Sequence, residues 1–201
     1  MTKIAIDIAL LLPETINKLC VGINQKEYSE KLSDLSKSDN HPHITLAPGV
    51  IDENDIEKVN DKLHVIIQQS SKLSLEITKI YHRIAPDNKI SCEFEIKLTD
   101  EIKKLHGKIM KDLSPMFSYD VTDNMFFLDS DEKFNEVSKV WIKNYGKIHS
   151  DPENYHPHIS LKCRKAKYKD FPIKFVASKV AFCHLGNYCT CRTIFGSHKL
   201  N

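Results

Sequence analysis

One hexapeptide occurs twice in this chain, about half the chain apart. The first copy is His41-Pro42-His43-Ile44-Thr45-Leu46 and the second is His156-Pro157-His158-Ile159-Ser160-Leu161. Nothing else in the sequence constrains the fold as much, because the repeat asks for two equivalent places in one chain. Pro42 and Pro157 push the residue before them into extended backbone. The Ile-Thr-Leu and Ile-Ser-Leu that follow favour a strand. Alternate residues of a strand share a face. His43 and Thr45 therefore point one way, and Ile44 and Leu46 the other. His158 and Ser160 oppose Ile159 and Leu161 in the same manner. Two such strands facing each other gather two imidazoles and two hydroxyls around one cleft.

That set of groups suits cleavage of a phosphodiester. A neutral imidazole takes the proton of an attacking hydroxyl or water, and an imidazolium returns one to the leaving oxygen. Imidazole titrates near neutrality, so both forms are within reach. The Thr and Ser hydroxyls donate hydrogen bonds to the non-bridging oxygens as charge builds. This reading calls for no metal and no cofactor.

The pair of His-x-Thr/Ser motifs resembles the 2H phosphoesterase superfamily, which includes 2′-5′ RNA ligase-like proteins, cyclic phosphodiesterases and 2′,5′-oligoadenylate-cleaving enzymes. His43, Thr45, His158 and Ser160 match the motifs residue by residue. One His-x-Thr is a weak signal. Two copies, each led by His-Pro and followed by Leu, are a strong one. The resemblance implies an α+β fold of two pseudo-duplicated lobes whose antiparallel sheets line a central cleft, within a single domain over 1–201. It implies phosphodiesterase activity on an RNA, oligonucleotide or cyclic nucleotide substrate. A 2′,5′ linkage or a 2′,3′-cyclic phosphate is the expected target.

Composition is compatible with this. The chain has 201 residues, of which 41% are hydrophobic and 28% charged, enough for a core and a soluble surface. A net charge of +2 implies no global field for polyanions. The apolar run Ile4–Leu12 carries Asp7, is too short to span a membrane and lacks a small-residue cleavage site, so it reads as a buried strand. Six scattered cysteines, with no export signal, favour reduced thiols and a cytoplasmic location.

Periodicity supplies the remaining elements. Ile16, Leu19, Cys20 and Ile23 recur at helical spacing behind Pro13, and 31–40 reads as a loop. Asp52 is a candidate cap for a helix bearing Ile56, Val59, Leu63, Ile66 and Ile67. Leu73, Leu75 and Ile77, and then Ile90 to Leu98, alternate as strands around a turn at Pro86-Asp87-Asn88. Thr99 is placed to cap a helix that carries Ile102, Leu105, Ile109 and Leu113 and stops at Pro115. Met125–Leu128 reads as a short buried strand. A helix then opens at Asp129 or Ser130, with Phe134, Val137, Val140, Trp141 and Ile148 on its apolar side. Phe175–Leu185 and Tyr188–Phe195 read as the last two strands, joined by a turn at Gly186-Asn187.

Other features compete for a role. The cluster Lys162, Arg164, Lys165, Lys167 and Lys169 follows the second motif and is placed to steer phosphates, although most such runs are solvated faces. Tyr155 and Tyr168 flank that motif and are expected to stack on a base. Tyr188 and Arg192 are further candidate substrate contacts. A zinc site from His184, Cys189 and Cys191 can be drawn, but Cys-x-Cys on one strand face is a poor tetrahedral framework. His41 and His156 double the histidines and raise the alternative of a His-rich metal-dependent hydrolase. Against it, neither motif carries a neighbouring carboxylate. A non-catalytic RNA- or nucleotide-binding module is the third reading, and a missing histidine would favour it. None is missing.

Overall fold

The computed structural model describes residues 2–27, 41–84, 90–130, 132–149, 151–161, 166 and 168–201. Eight strands and four α-helices are described: β1 (Lys3–Leu11), α1 (Glu14–Glu27), β2 (His43–Asp52), α2 (Ile56–Gln68), β3 (Leu73–Ile84) and β4 (Ile90–Ile96). They continue as α3 (Asp100–Leu113), α4 (Val137–Ile148), β5 (His158–Leu161), β6 (Ile173–Ala177), β7 (Lys179–Leu185) and β8 (Cys191–Lys199). The strands form two four-stranded sheets, in the orders β2-β1-β7-β8 and β5-β4-β3-β6. Every strand pair is antiparallel. The two orders are equivalent. In each, the strand carrying a His motif lies at the edge and pairs with one inner neighbour.

The core follows from the alternation of strands and the stripes of helices. Ile6, Ile8 and Leu10 of β1, and Ile44 and Leu46 of β2, are buried against one face of the first sheet. Phe94 and Ile159, paired across β4 and β5, are buried from the second sheet. Both sets belong to one continuous cluster, joined by Val59, Leu63 and Ile67 of α2 and Ile102, Ile109 and Leu113 of α3. Burying one such aliphatic side chain contributes about 1.5–3 kcal/mol. Thr99 takes the cap position of α3, but its hydroxyl makes no capping bond. Asp52 caps a 3-10 turn ahead of α2, accepting from the Asn54 amide at 3.0 Å.

Four expectations differ from the structure. The run Phe175–Leu185 is two strands, in two sheets. β6 pairs with β3 and β7 with β1, so the chain crosses between lobes at Ser178. No Gly or Pro marks the crossing, and its whole sequence signal is the polar pair Ser178-Lys179, after which the apolar pattern resumes. Met125–Leu128 forms no sheet strand. Residues 123–125 make a 3-10 turn, and Phe127 meets Gly186 in a single bridge. The following helix starts at Val137 rather than near Asp129, because Asn135 ends an extended segment. Its amide donates to Asn187 Oδ1 at 2.9 Å, and its own Oδ1 accepts from the Val137 amide at 2.9 Å.

The last hairpin turns through a 3-10 segment, Asn187–Cys189, instead of two residues. Tyr188 and Cys189 both hold positive φ, 57° and 54°. Each costs about 1–2 kcal/mol in that region. The Tyr188 amide is held by Ser138 Oγ at 2.8 Å.

The turn at 86–88, the loop at 31–40, and Lys162, Arg164, Lys165 and Lys167 lie outside the described residues. No described helix is long and apolar enough to cross a membrane.

Candidate active site

Edge strands leave backbone groups unpaired, and β2 shows how this chain satisfies them beside the first motif. The pairing of β1 with β2 slips between Ile8 and Ala9, leaving Leu46 as an extra, bulged residue. Its carbonyl accepts from the Tyr145 hydroxyl at 2.9 Å and from His106 Nδ1 at 2.8 Å. The neighbouring Thr45 carbonyl accepts from the Tyr155 hydroxyl at 2.7 Å. His106 is fully buried and stacks on Tyr155, with ring centroids 4.0 Å apart. Its Nε2 faces the His149 carbonyl at 2.9 Å. The segment leading into the second motif is thereby fastened to the strand bearing the first, and β2 lies against β5.

The two motif histidines are held alike. His43 Nδ1–H donates to the His41 carbonyl at 2.8 Å, and His158 Nδ1–H to the His156 carbonyl at 2.9 Å. A carbonyl only accepts, so the proton sits on Nδ1 and the Nε2 lone pair is free when the ring is neutral. Both side chains are 14% exposed. Burial lowers the pKa of both. His43 falls to about 4, pushed further by the charges of His158 and His41. His158 is also lowered by burial, while the charge of Glu93 opposes the shift. His43 and His158 thus lie within electrostatic reach of each other.

Each histidine also faces a carboxylate supplied by the adjacent inner strand. His43 Nε2 is 3.5 Å from Asp7 Oδ2 on β1. His158 Nε2 is 3.8 Å from Glu93 Oε2 on β4, and His156 Nδ1 is 3.9 Å from Glu93 Oε1. The objection to a metal site, that no carboxylate stands beside the motifs, is therefore corrected by the sheets. Ligand atoms of Asp7, His43 and Cys191, and of Glu93, His156 and His158, lie within 4.8 Å of one another. Neither group is built for a cation. Arg83 Nη2 already donates to Glu93 Oε1 at 3.1 Å. In the other group, burial pushes both the Asp7 carboxyl and the Cys191 thiol toward their protonated forms.

Asp7 is 1% exposed. Thr45 Oγ1 donates to its Oδ2 at 2.8 Å, and Oδ1 has no hydrogen-bonding partner among the described residues. Burial raises its pKa to about 8, with Thr45 and the nearby amides of Ala47 and Ile8 pulling it back in part. The corresponding hydroxyl of the second motif, Ser160, is exposed and pairs across β4 with Glu93.

Several expected contacts are placed elsewhere. Tyr155 is 4% exposed, with its ring on His106, so neither face is open to a base. Tyr168 packs edge-on against Phe94 and Phe171. Phe94 alternates with Glu93, which puts Tyr168 on the sheet face away from His158. Arg192 is buried and paired with Asp129 at 2.6 Å and Glu132 at 3.6 Å, so its charge is engaged within the fold. Tyr188 is exposed, and its hydroxyl accepts from Asn135 Nδ2 at 2.9 Å beside the start of α4. The drawn zinc set does not assemble. His184 Nε2 donates to the Met125 carbonyl at 3.0 Å, Cys189 Sγ points to the Ser138 carbonyl, and Cys191 Sγ meets Cys183 Sγ. Of the basic cluster only Lys169 is described, and it is exposed.

In their place the second sheet presents residues that sequence reasoning missed. Lys79, Tyr81 and Arg83 of β3 pair with Glu95, Glu93 and Ser91 of β4 and so share the face of His158 and Ser160. Tyr81 is 43% exposed. Arg83 lies over the Trp141 ring at 5.6 Å, and the Trp141 ring meets His158 edge-on at 5.7 Å. The sequence hid them behind a bulge. Lys79, Tyr81 and Arg83 alternate as a polar set, but strict strand period would place them on the buried face of Ile77, and only the register shift between Ile77 and Lys79 turns them to the His158 face.

No protein-family model matches the sequence, and no curated protein does. Solved structures do. TT0787 of Thermus thermophilus is 14% identical with a TM-score of 0.58, each chain covered to 98%. LigT of E. coli complexed with NADP+ is 12% identical with a TM-score of 0.55, again with 98% of both chains covered. A structure described as a phosphoesterase is 11% identical with a TM-score of 0.54, over 98% of this chain and 97% of the other. The likeness runs end to end, so the chain shares the fold of E. coli LigT and of these other structures.

Proposed function

We propose that this protein is a metal-independent phosphodiesterase that cleaves a nucleotide phosphodiester by two-histidine general acid–base catalysis. The observation that carries the reading is the equivalence of His43 and His158. Each sits at the start of an edge strand, with Nδ1 held by the carbonyl two residues back, equal exposure, and Nε2 left for proton transfer. A structural histidine needs no such twin. One imidazole takes the proton of the attacking oxygen, and the other protonates the leaving oxygen. Thr45 and Ser160 are assigned as hydroxyl donors to the non-bridging oxygens.

The substrate reading is a 2′,5′-linked oligonucleotide or a 2′,3′-cyclic phosphate. LigT, which shares this fold, has been solved with NADP+, 3′-AMP and ATP, all phosphate-bearing nucleotides. On this chain, Lys79 and Arg83 lie on the His158 face, each paired with a glutamate of β4 but, unlike Arg192, partly exposed, and the Tyr81 ring supplies a stacking surface. The test is a panel of 2′,5′- and 3′,5′-linked oligonucleotides, cyclic dinucleotides, nucleoside 2′,3′-cyclic phosphates and simple phosphomonoesters. Cleavage of a diester with loss of activity in His43→Ala and in His158→Ala is expected. Turnover of phosphomonoesters alone would overturn both substrate and reaction.

A further inference from the structure

We infer that Asp7 and Glu93 are positioning residues that give the two motifs opposite tasks, with His43 taking the proton of the nucleophile and His158 delivering one to the leaving oxygen. The inference rests on the two-histidine reading and adds the direction of proton flow to it.

The two carboxylates occupy matching places, each on the inner strand beside a motif strand, yet their surroundings differ in charge. Glu93 is met by a guanidinium, since Arg83 Nη2 donates to Oε1 at 3.1 Å. Around Asp7 stand the Thr45 hydroxyl, the His43 ring, the Cys191 thiol and the hydroxyls of Tyr145 and Tyr155. Among the described residues its one ion-pair partner is His43. A buried carboxyl without a cation is neutral at lowest cost. It then offers His43 no negative charge to hold an imidazolium. His158, His41 and Cys191 are the other titratable groups facing His43, and the two histidines also disfavour its charge. His43 therefore rests as a neutral imidazole with a free Nε2 lone pair, the form a base needs.

His158 faces Glu93, Arg83, His156, His43 and the edge of the Trp141 ring. Burial and the charges of Arg83 and His156 lower the pKa of His158, but Glu93 is the anion among them, and its charge favours the imidazolium form that an acid needs, a support His43 lacks. Asp7 adds a second effect. When it carries its proton it donates to Thr45 Oγ1, which frees the Thr45 hydroxyl hydrogen for a phosphate oxygen. In the reaction, the nucleophile oxygen bonds to phosphorus as its proton passes to His43 Nε2. The bond from phosphorus to the leaving oxygen breaks as His158 Nε2 gives up its proton. His43 ends charged and His158 neutral, and exchange with solvent restores both.

Leaving-group ability tests the direction. An aryl phosphodiester such as bis(4-nitrophenyl) phosphate departs without protonation, whereas a dinucleotide does not. His158→Ala is expected to lose about 10²- to 10⁴-fold on a dinucleotide but to stay within roughly tenfold of the unsubstituted protein on the aryl diester. His43→Ala should lose on both. The opposite pattern, or equal losses of both variants on both substrates, overturns the assignment. A second measurement reads charge without turnover. Histidine NMR titration should show His158 protonating at higher pH than His43, and Glu93→Gln should lower the His158 midpoint while leaving that of His43 in place. The alkaline limb of kcat/KM should move down in the same variant. If His43 protonates first, the inference fails. If the NMR order holds in a protein that cleaves neither diester, the phosphodiesterase reading fails and the positioning roles stand.

Discussion

Replacing Asp7 with Asn should stabilise the protein, although it replaces a carboxyl that stands beside His43. Asp7 is 1% exposed, and its pKa rises from 3.8 to about 8 in the fold. A group whose folded pKa is raised contributes fully below its unfolded pKa, and that contribution is lost as pH rises through the folded value. At pH 7 the unfolded chain has released a proton that the fold still holds. About 1.4 kcal/mol accrues per pH unit, so the gap of roughly three units from 3.8 amounts to at most about 4 kcal/mol. Asn reproduces the protonated carboxyl, with one donor toward Thr45 Oγ1 and one carbonyl, and does not titrate. Asp7→Asn is therefore expected to be about 2–4 kcal/mol more stable near pH 7, a rise in Tm of roughly 4–16 °C for a chain of this size. The gap should close as pH falls toward about 4. His43, whose pKa falls to about 4, withdraws stability from both proteins over that same acid range, so its contribution cancels in the difference. Urea denaturation of both proteins across this pH range, in the presence of a chelator, measures the gap. A substituted protein no more stable at neutrality, or a gap that persists unchanged at low pH, would refute the reasoning about the buried carboxyl.

His43→Ala and His158→Ala should each lower kcat/KM for a nucleotide diester by about 10²- to 10⁴-fold, and the double variant should be little worse than either, because the pair acts as a unit. Near-normal turnover in either single variant would remove it from the site. Exhaustive chelation and dialysis should leave activity intact, while loss restored by zinc or manganese would favour a metal-dependent hydrolase. The pH profile of kcat/KM should be a bell whose maximum lies on the acid side of ordinary imidazole titration, since burial lowers both histidines and His43 reaches about 4. Its limbs describe the coupled pair, and a maximum above neutrality would contradict the burial. Tyr155→Phe strands the buried Thr45 carbonyl and should cost about 1–3 kcal/mol in thermal or urea unfolding; an unchanged midpoint would show that the 2.7 Å bond contributes little.

The two motifs were legible because proline, branched aliphatics and strand period all act within six residues. Strand and helix stripes were legible for the same local reason. What escaped the sequence depends on pairing between distant strands. Ser178 passes the chain from one sheet to the other with no Gly or Pro to mark it. Asn135 and Asn187 end the extended segment before α4 through bonds that span half a hundred residues. Tyr155 and Tyr168 look like stacking surfaces when only their distance from the motif is counted. The sheet instead sends one into the core beside His106 and the other to the far face with Phe94. Asp7 was visible as a lone acid in an apolar strand, a position that acids rarely take without a partner. Its relation to His43 became readable only once β1 and β2 were in register.

The duplicated architecture explains both what the two motifs share and where they part. Placing each motif on an edge strand leaves its outer carbonyls to be filled by side chains. On β2, Tyr145, Tyr155 and His106 do so. Two of the three belong to α4 and to the approach to the second motif, so stabilising the edge of one sheet also draws the second motif toward it. Perfect symmetry would give two identical imidazoles, each as ready to act as acid as to act as base, with nothing to fix the order of the roles. Arg83 breaks the equivalence. It reaches the carboxylate of the second motif, and among the described residues no lysine or arginine reaches that of the first. The asymmetry that would fix an order between the two histidines is thus carried on the inner strands, outside the repeated hexapeptides.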